Sequence, residues 1–106
     1  MKMGFLVFYV FQVLKIRRFS EQMKEADIVK AIMKYLKTVP GCFCWKEHGG
    51  MYGTAGIPDI IACIGGHFFG FEVKTDSGKP TKLQEATIRK ILAAGGTALV
   101  VRSVDE

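Results

Sequence analysis

Apolar side chains four residues apart predict a helix in the first half of the chain. Ile28, Ile32 and Leu36 form its apolar stripe, Ser20 is a suitable N-cap, and the pattern continues to about Lys37. The acid Glu25 lies three residues before Ile28 and continues the buried-facing stripe, with Glu21 a weaker candidate on the same line. Both acids also fit the ordinary preference of carboxylates for the start of a helix.

Two apolar runs separated by Gly65 and Gly66 predict a β-hairpin in the middle of the chain. A two-residue turn at these glycines pairs Ile60 with Phe71, and the next pair at the open end is Asp59 with Glu72. Residues opposite each other in antiparallel strands project to the same face, with Cβ atoms about 4.5–5.5 Å apart. The sequence therefore predicts two carboxylates side by side.

The surroundings of this carboxylate pair suggest a cation site. Alternation along the strand places Lys74 on the face of Glu72, and Gly70 on that face is expected to leave space above the sheet. Two adjacent carboxylates repel each other unless a proton or a cation lies between them. A cross-strand ion cluster neutralised by Lys74 is the structural alternative, but it leaves a net negative charge. Adjacent oxygen ligands suit Mg²⁺ or Mn²⁺.

The other elements follow from turn and cap residues. Residues 42–46 are predicted to form a short strand. Residues 48–56 contain four glycines, which is typical of a flexible loop that is able to approach a ligand closely, although such a loop can also be a simple connection. Thr81 is an N-cap for a second helix, in which Gln84 joins the apolar side or completes a T-x-x-Q capping box. A last strand, 97–102, returns through a helix and is expected to lie parallel to a hairpin strand.

Composition limits the class of protein. The 106 residues are 49% hydrophobic and 24% charged, which indicates one compact domain and excludes a disordered or fibrous chain. The net charge of +5 favours polyanionic partners such as nucleic acid. Three cysteines, Cys42, Cys44 and Cys63, argue against a disulfide framework and favour a reducing, cytoplasmic compartment. We expect free thiols that act as small apolar residues rather than a zinc site.

Residues 1–19 form an apolar and then basic N-terminal extension ahead of the predicted domain, 20–106. The apolar run is shorter than a membrane span and contains Gln12, and no small-residue cleavage site follows it. We therefore expect neither export nor stable membrane insertion. An extra packed element and a poorly specified extension before an alternative start at Met23 remain open, with a membrane-surface anchor as a third alternative.

A motif and its context connect these features to a known family. Pro58 and Asp59, twelve intervening residues and then Glu72, Val73 and Lys74 resemble the motif of the PD-(D/E)xK nuclease superfamily. With GTAGIPDII, FFGFEVKTDSGKPTKLQ and the upstream helix EADIVKAIMKYLK, the chain more closely resembles the virus-type replication–repair nuclease (VRR-NUC) domain. This resemblance implies an α/β fold with a restriction-endonuclease-like core, a small mixed β-sheet flanked by helices.

The resemblance also implies metal-dependent phosphodiester hydrolysis. It assigns three carboxylates to Mg²⁺, for which Mn²⁺ would substitute: Glu25, Asp59 and Glu72. The carbonyl of Val73 would assist them, Lys74 would orient or activate the attacking water, and Gln84 would position water or Lys74. Single-domain relatives resemble Holliday-junction resolvases, which are homodimers on branched DNA, and the resemblance leaves a phage origin open.

Basic residues near the motif in sequence are expected to contact DNA phosphates: Lys46, His48, Lys79 and Lys82, with Arg89 and Lys90 further away. For any one of them, an ordinary solvated charge is the more common interpretation. Flap or single-strand cleavage and nonspecific nicking are alternatives within the nuclease class. Outside it, a non-catalytic DNA-binding module of the same fold and a small membrane-associated protein remain.

Overall fold

The computed structural model describes residues 24–48, 54–75 and 77–102. The N-terminal extension 1–19, Ser20 and most of the glycine-rich loop therefore lie outside the described residues. Within the described ranges, no helix is long and apolar enough to cross a membrane.

Within residues 24–48, 54–75 and 77–102, two helices and four strands follow one another in the predicted α-β-β-β-α-β order. They are α1 (Glu25–Leu36), β1 (Cys42–Lys46), β2 (Ile60–Ile64), β3 (His67–Lys74), α2 (Lys82–Ala93) and β4 (Thr97–Arg102). The strands form one sheet in the order β1-β2-β3-β4, in which β4 runs parallel to β3 and the other neighbours are antiparallel. This mixed sheet flanked by helices confirms the predicted restriction-endonuclease-like α/β fold.

Helix α1 carries the predicted apolar stripe but starts later than predicted. Ile28, Ile32 and Leu36 are completely buried, as expected. The start at Ser20 is wrong: the helix begins at Glu25, because Lys24 has extended backbone angles (φ −79°, ψ 156°) that interrupt helical hydrogen bonding. Among the described residues, no side chain caps this end.

The hairpin has the predicted register. Ile60 pairs with Phe71 and Ile64 pairs with His67. Gly65 and Gly66 both have positive φ, 58° and 82°. A tight turn with two such residues favours glycine at both positions.

The two faces of the sheet differ. One face packs against α1 and contains the core, to which β3 contributes Phe69, Phe71 and Val73. The other face carries Glu72 and Gly70 and lies beneath α2, none of whose residues is fully buried. Alternation along β3 thus separates the apolar core from the face with the carboxylates.

The predicted open space above Gly70 is absent. A Cβ atom at this position would lie 2.8 Å from Cγ of Pro58, so the proline ring fills the place above the glycine. Pro58 is itself fully buried. Gly70 therefore permits the close approach of the segment that carries Asp59, rather than a cavity.

The cysteines Cys42 and Cys44 pack against the core as predicted, while Cys63 is exposed, and all three are free thiols. Burial is the main reason that the pKa of Cys42 is raised to about 11. At neutral pH its thiol therefore stays protonated and behaves as a small apolar group.

Helix α2 is defined at both ends. The Thr81 hydroxyl accepts from the backbone N–H of Gln84, and the Gln84 side chain accepts from the backbone N–H of Thr81, which is the predicted capping box. At the other end Gly95 has φ 92°, and the N–H of Gly96 donates to the carbonyl of Ile91. This left-handed glycine ends the helix and directs the chain into β4.

Candidate active site

The carboxyl group of Asp59 is fixed at the end of the hairpin. Asp59 directly precedes β2, and its Oδ2 accepts a hydrogen bond from the backbone N–H of Val73 over 2.7 Å. This bond connects the two chain segments just beyond the last paired residues of β2 and β3, Ile60 and Phe71. Asp59 thus lies beside Glu72, the neighbourhood that the hairpin register predicts.

Glu72 is a buried carboxylate with two unequal oxygens. The residue is only 1% exposed and is the buried charged residue of the described core. Its Oε1 accepts from Nε2 of Gln84 over 3.0 Å and lies 3.9 Å from Nζ of Lys74. Its Oε2 is buried and has no hydrogen-bond partner within the described residues. A buried oxygen without a partner is costly, so this atom is suited to an additional ligand.

The pKa of Glu72 reflects this environment. Burial raises it most, the neighbouring Asp59 carboxyl raises it further, and together they bring the pKa of Glu72 from 4.5 to about 8. Lys74 lowers this pKa, and Glu25 makes a smaller upward contribution. Without a cation the pair therefore retains a proton at neutral pH, and a divalent cation would compete with that proton.

Gln84 combines the two roles that the sequence left as alternatives. Its Oε1 accepts from the backbone N–H of Thr81 over 2.8 Å, which belongs to the capping box. Its Nε2 donates to Glu72 at the same time. Because the Thr81 N–H can only donate, it fixes which end of the amide faces the carboxylate. The helix cap therefore orients the side chain that contacts Glu72.

The structure places Glu25 differently from the position that the apolar stripe predicts. It is the first residue of α1 and is exposed, so its placement on the buried stripe is wrong. Glu25 lies at the N-terminal end of the helix, ahead of Ile28, the first residue of the helix that is buried in the core. In the described part of the chain, no three His, Cys, Asp or Glu residues lie close enough together to hold a metal ion. The structure brings Asp59 and Glu72 together, and the role of Glu25 as a metal ligand stays a prediction.

The four residues predicted to contact DNA are all exposed: Lys46, His48, Lys79 and Lys82. Lys46 ends β1, directly opposite Ile60 at the carboxylate end of the sheet. Lys82 begins α2, beside the Thr81 cap. These positions are accessible to a polyanion, and contact with DNA stays a prediction.

Arg102 is a site neighbour that the sequence reasoning missed. It pairs with Lys74 in the parallel register, and its Nη1 donates to the carbonyl oxygens of Thr75, over 3.0 Å, and of Gly78. Arg102 thereby ties β4 to the segment that leads from Lys74 towards α2. The sequence predicted a last strand parallel to the hairpin but not its register, which is what places Arg102 next to Lys74.

A comparison with protein families places this geometry in context. Residues 47–101 match the family model described as archaeal Holliday junction resolvase (Hjc). No curated protein and no solved structure matches the chain significantly. The matched segment takes in Asp59, Glu72, Lys74 and Gln84 and covers just over half of the 106 residues. The chain therefore belongs to the archaeal Holliday junction resolvase (Hjc) family, a family of PD-(D/E)xK-type DNA nucleases.

Proposed function

We propose that this protein is a Mg²⁺-dependent endonuclease that acts as a homodimer and resolves branched DNA. The observation that carries the proposal is the buried Oε2 of Glu72, which has no partner among the described residues and lies beside the Asp59 carboxyl. A buried carboxylate pair of this kind is unfavourable unless a proton or a cation compensates it.

The donor atoms fit a hard divalent cation. Oε2 of Glu72 has no hydrogen-bond partner among the described residues, and the bond from Val73 to Asp59 uses Oδ2 and not Oδ1. The N–H and C=O of a strand residue point to the same side, so the Val73 carbonyl is directed towards Asp59 as well. Three oxygens of this type suit Mg²⁺ or Mn²⁺, and Glu25 would supply a further carboxylate.

Phosphodiester hydrolysis requires residues that orient the carboxylates and residues that orient or activate the attacking water. A bound divalent cation lowers the pKa of water and neutralises charge that develops on the phosphate. Gln84 holds Oε1 of Glu72 and thereby directs Oε2 to the cation. Lys74, whose ammonium lies beside the same carboxylate, orients the attacking water and stabilises negative charge at the phosphate.

Charge and symmetry support a DNA substrate with two equivalent strands. The net charge of +5 and the exposed Lys46, His48, Lys79 and Lys82 favour contacts with phosphates, which give affinity without reading bases. A two-fold dimer would present two sites to the two symmetric strands of a junction. A likeness to the VRR-NUC domain within the PD-(D/E)xK superfamily is part of the same proposal.

The test is cleavage of an immobile four-way junction beside a matched duplex and a flap, in Mg²⁺, Mn²⁺ or EDTA. We expect paired symmetric cuts in the junction that are lost in EDTA and in the Glu72→Ala variant. Sedimentation of the protein in the same buffer reports the homodimer. Preferential cutting of the flap or indiscriminate nicking of duplex would contradict the junction assignment. Tight binding without any cutting would instead favour a DNA-binding module, and Glu72→Ala would then bind DNA more tightly.

A further inference from the structure

The sheet face beside α2 carries exposed aromatic rings that the nuclease chemistry does not use. Phe43 is 69% exposed, Trp45 is 42% exposed and Phe68 is 41% exposed. In β1, Phe43 and Trp45 alternate with Cys42 and Cys44, which pack against the core, and in β3 Phe68 precedes the core residue Phe69. The rings therefore lie on the opposite face of the sheet, the face of Glu72.

The strand register places these rings close to the carboxylate pair. One cross-strand row contains Phe43, Cys63 and Phe68, and the next contains Trp45, Ile61 and Gly70. The following row is that of Asp59 and Glu72. Rows on one face are two residues apart, which is about 6.6 Å along a strand. Trp45 thus lies one row from the proposed site of hydrolysis.

Trp45 forms one wall of an open, mostly apolar cleft of about 310 Å³ on this face. Phe68 and Ile91 lie across from it, and Ile61 and Pro58 line the cleft between them. The indole Nε1–H of Trp45 donates to Oε2 of Glu47 over 2.9 Å, which limits rotation of the ring. A flat ring in a fixed orientation beside an apolar cleft provides a surface on which another planar group can stack.

We infer that this cleft binds an unpaired nucleobase of the DNA strand that is cut, stacked on Trp45. The inference rests on the proposed function, which brings that strand to the neighbouring carboxylate row. Exposed aromatic rings on a four-stranded sheet are a recurrent surface for stacking of unpaired bases. Lys90 lines an adjoining cleft that shares Phe68 and Ile91 with this one, and the net charge is +5, so the surroundings favour a nucleic acid as the occupant.

A nucleobase in this cleft would give the enzyme a preference for DNA with accessible bases next to the scissile bond. Stacking has little sequence dependence because every base has a flat π-face. The cleft would therefore select for unpaired structure at a branch point and not for a particular base. Continuous duplex, whose bases are stacked on one another, would leave the cleft empty.

Trp45 is the only tryptophan of the chain, so its fluorescence reports directly on this cleft. The probes are a four-way junction with two unpaired thymines at the branch point, the same junction with abasic nucleotides at those positions, and a matched duplex. All titrations are made in EDTA, so that binding is measured without cleavage. We expect quenching by the thymine junction and little quenching by the abasic junction or the duplex.

Binding by variants separates stacking from general affinity. We expect Trp45→Ala to bind the thymine junction about 5- to 150-fold more weakly, the range for loss of one stacked base. Trp45→Phe should retain most of the affinity, because a ring remains. Leu92→Ala is the matched control, since Leu92 is 51% exposed and does not line the cleft. It should bind like the wild type.

Two outcomes would overturn the inference and leave the proposed function standing. One is equal quenching by the thymine junction, the abasic junction and the duplex, with unchanged binding by Trp45→Ala. The other is Trp45 emission that changes with protein concentration without DNA, together with a changed oligomeric state of Trp45→Ala, which would make the cleft an interface between copies. Failure of the proposed function would be recognised by a different result: no DNA would be cut in Mg²⁺, whatever the fluorescence of Trp45 shows.

Discussion

The side-chain amide of Gln84 donates to Oε1 of Glu72 over 3.0 Å, and this contact links the start of α2 to the carboxylate pair. The other end of the same amide accepts from the N–H of Thr81 and completes the capping box. One side chain thus stabilises a helix end and orients a buried carboxylate. The position of Glu72 Oε2, which is left without a partner among the described residues, follows from this arrangement.

The double role of Gln84 is testable with a pair of variants. Thr81→Ala removes the hydroxyl cap but keeps the backbone N–H that orients Gln84, so it should cost about 1 kcal/mol of folding free energy and leave cleavage unchanged. Gln84→Ala removes the contact with Glu72 as well. It should have a similar effect on stability and lower cleavage by about 10- to 100-fold, as is typical for residues that orient a metal ligand.

Denaturant unfolding and single-turnover cleavage measure the two effects separately. The account of Gln84 is contradicted if both variants lose cleavage in proportion to their loss of stability. It is also contradicted if Gln84→Ala retains wild-type cleavage in Mg²⁺.

The raised pKa of Glu72 predicts how the stability of the metal-free protein depends on pH. In the folded protein the Glu72 carboxyl retains its proton up to about pH 8, whereas in the unfolded chain it releases the proton near pH 4.5. The contribution of Glu72 to the free energy of unfolding is thus fully present below pH 4.5, and it is lost as the pH rises from about 4.5 through about 8. Unfolding of the wild type and of Glu72→Gln in EDTA from pH 4.5 to 9 measures the difference.

Glu72→Gln has no carboxyl group to titrate and is the control for this pH effect. We expect its stability relative to the wild type to increase as the pH rises, so that at pH 8.5 the variant is the more stable protein. A constant difference between the two proteins across the whole range would show that Glu72 titrates normally.

Lys74 is predicted to act in catalysis rather than in folding. Lys74→Met should lower single-turnover cleavage by about 10²- to 10⁴-fold, the range for loss of a group that handles a proton or developing charge. Because Lys74 lowers the pKa of Glu72, the same variant should shift the pH dependence of metal-free stability to higher pH. Lys74→Arg retains the charge and should retain the pH dependence. A wild-type cleavage rate in Lys74→Met would rule out this role.

The contact between Gly70 and Pro58 predicts a remote effect on the site. A Cβ at Gly70 would lie 2.8 Å from Cγ of Pro58, so Gly70→Ala must displace the segment that holds Asp59. We expect a cost of about 1–3 kcal/mol and reduced cleavage. Gly78→Ala is the control, because a Cβ there meets neighbours at 3.4 Å or more. Equal cleavage by the two variants would mean that the position of Asp59 does not depend on this contact.

Much of the fold follows from local signals in the sequence. The double glycine at Gly65 and Gly66 fixes the turn, and the turn fixes the register that brings Asp59 to Glu72. The capping box at Thr81 likewise defines the start of α2. These features are predictable because each depends on residues that are neighbours in the chain or directly opposite in a hairpin.

The features that the sequence did not predict depend on contacts between segments that are distant along the chain. The space above Gly70 depends on where the turn before β2 places Pro58, and no periodicity reports that position. The start of α1 depends on the extended backbone at Lys24, which the apolar stripe does not predict. The anchoring of Thr75 and Gly78 by Arg102 requires the parallel register of β4, and that register forms only after the crossover through α2.

In the proposed metal site, a divalent cation replaces the proton held between Asp59 and Glu72. Calorimetric titration of Mn²⁺ into metal-free protein at pH 7, in buffers of different ionisation enthalpy, measures both binding and proton release. We expect the wild type to bind Mn²⁺ with release of about one proton, because the pKa of Glu72 is about 8, and Glu72→Gln to bind it more weakly without proton release. Equal Mn²⁺ binding by both proteins, with no proton released by the wild type, would contradict it.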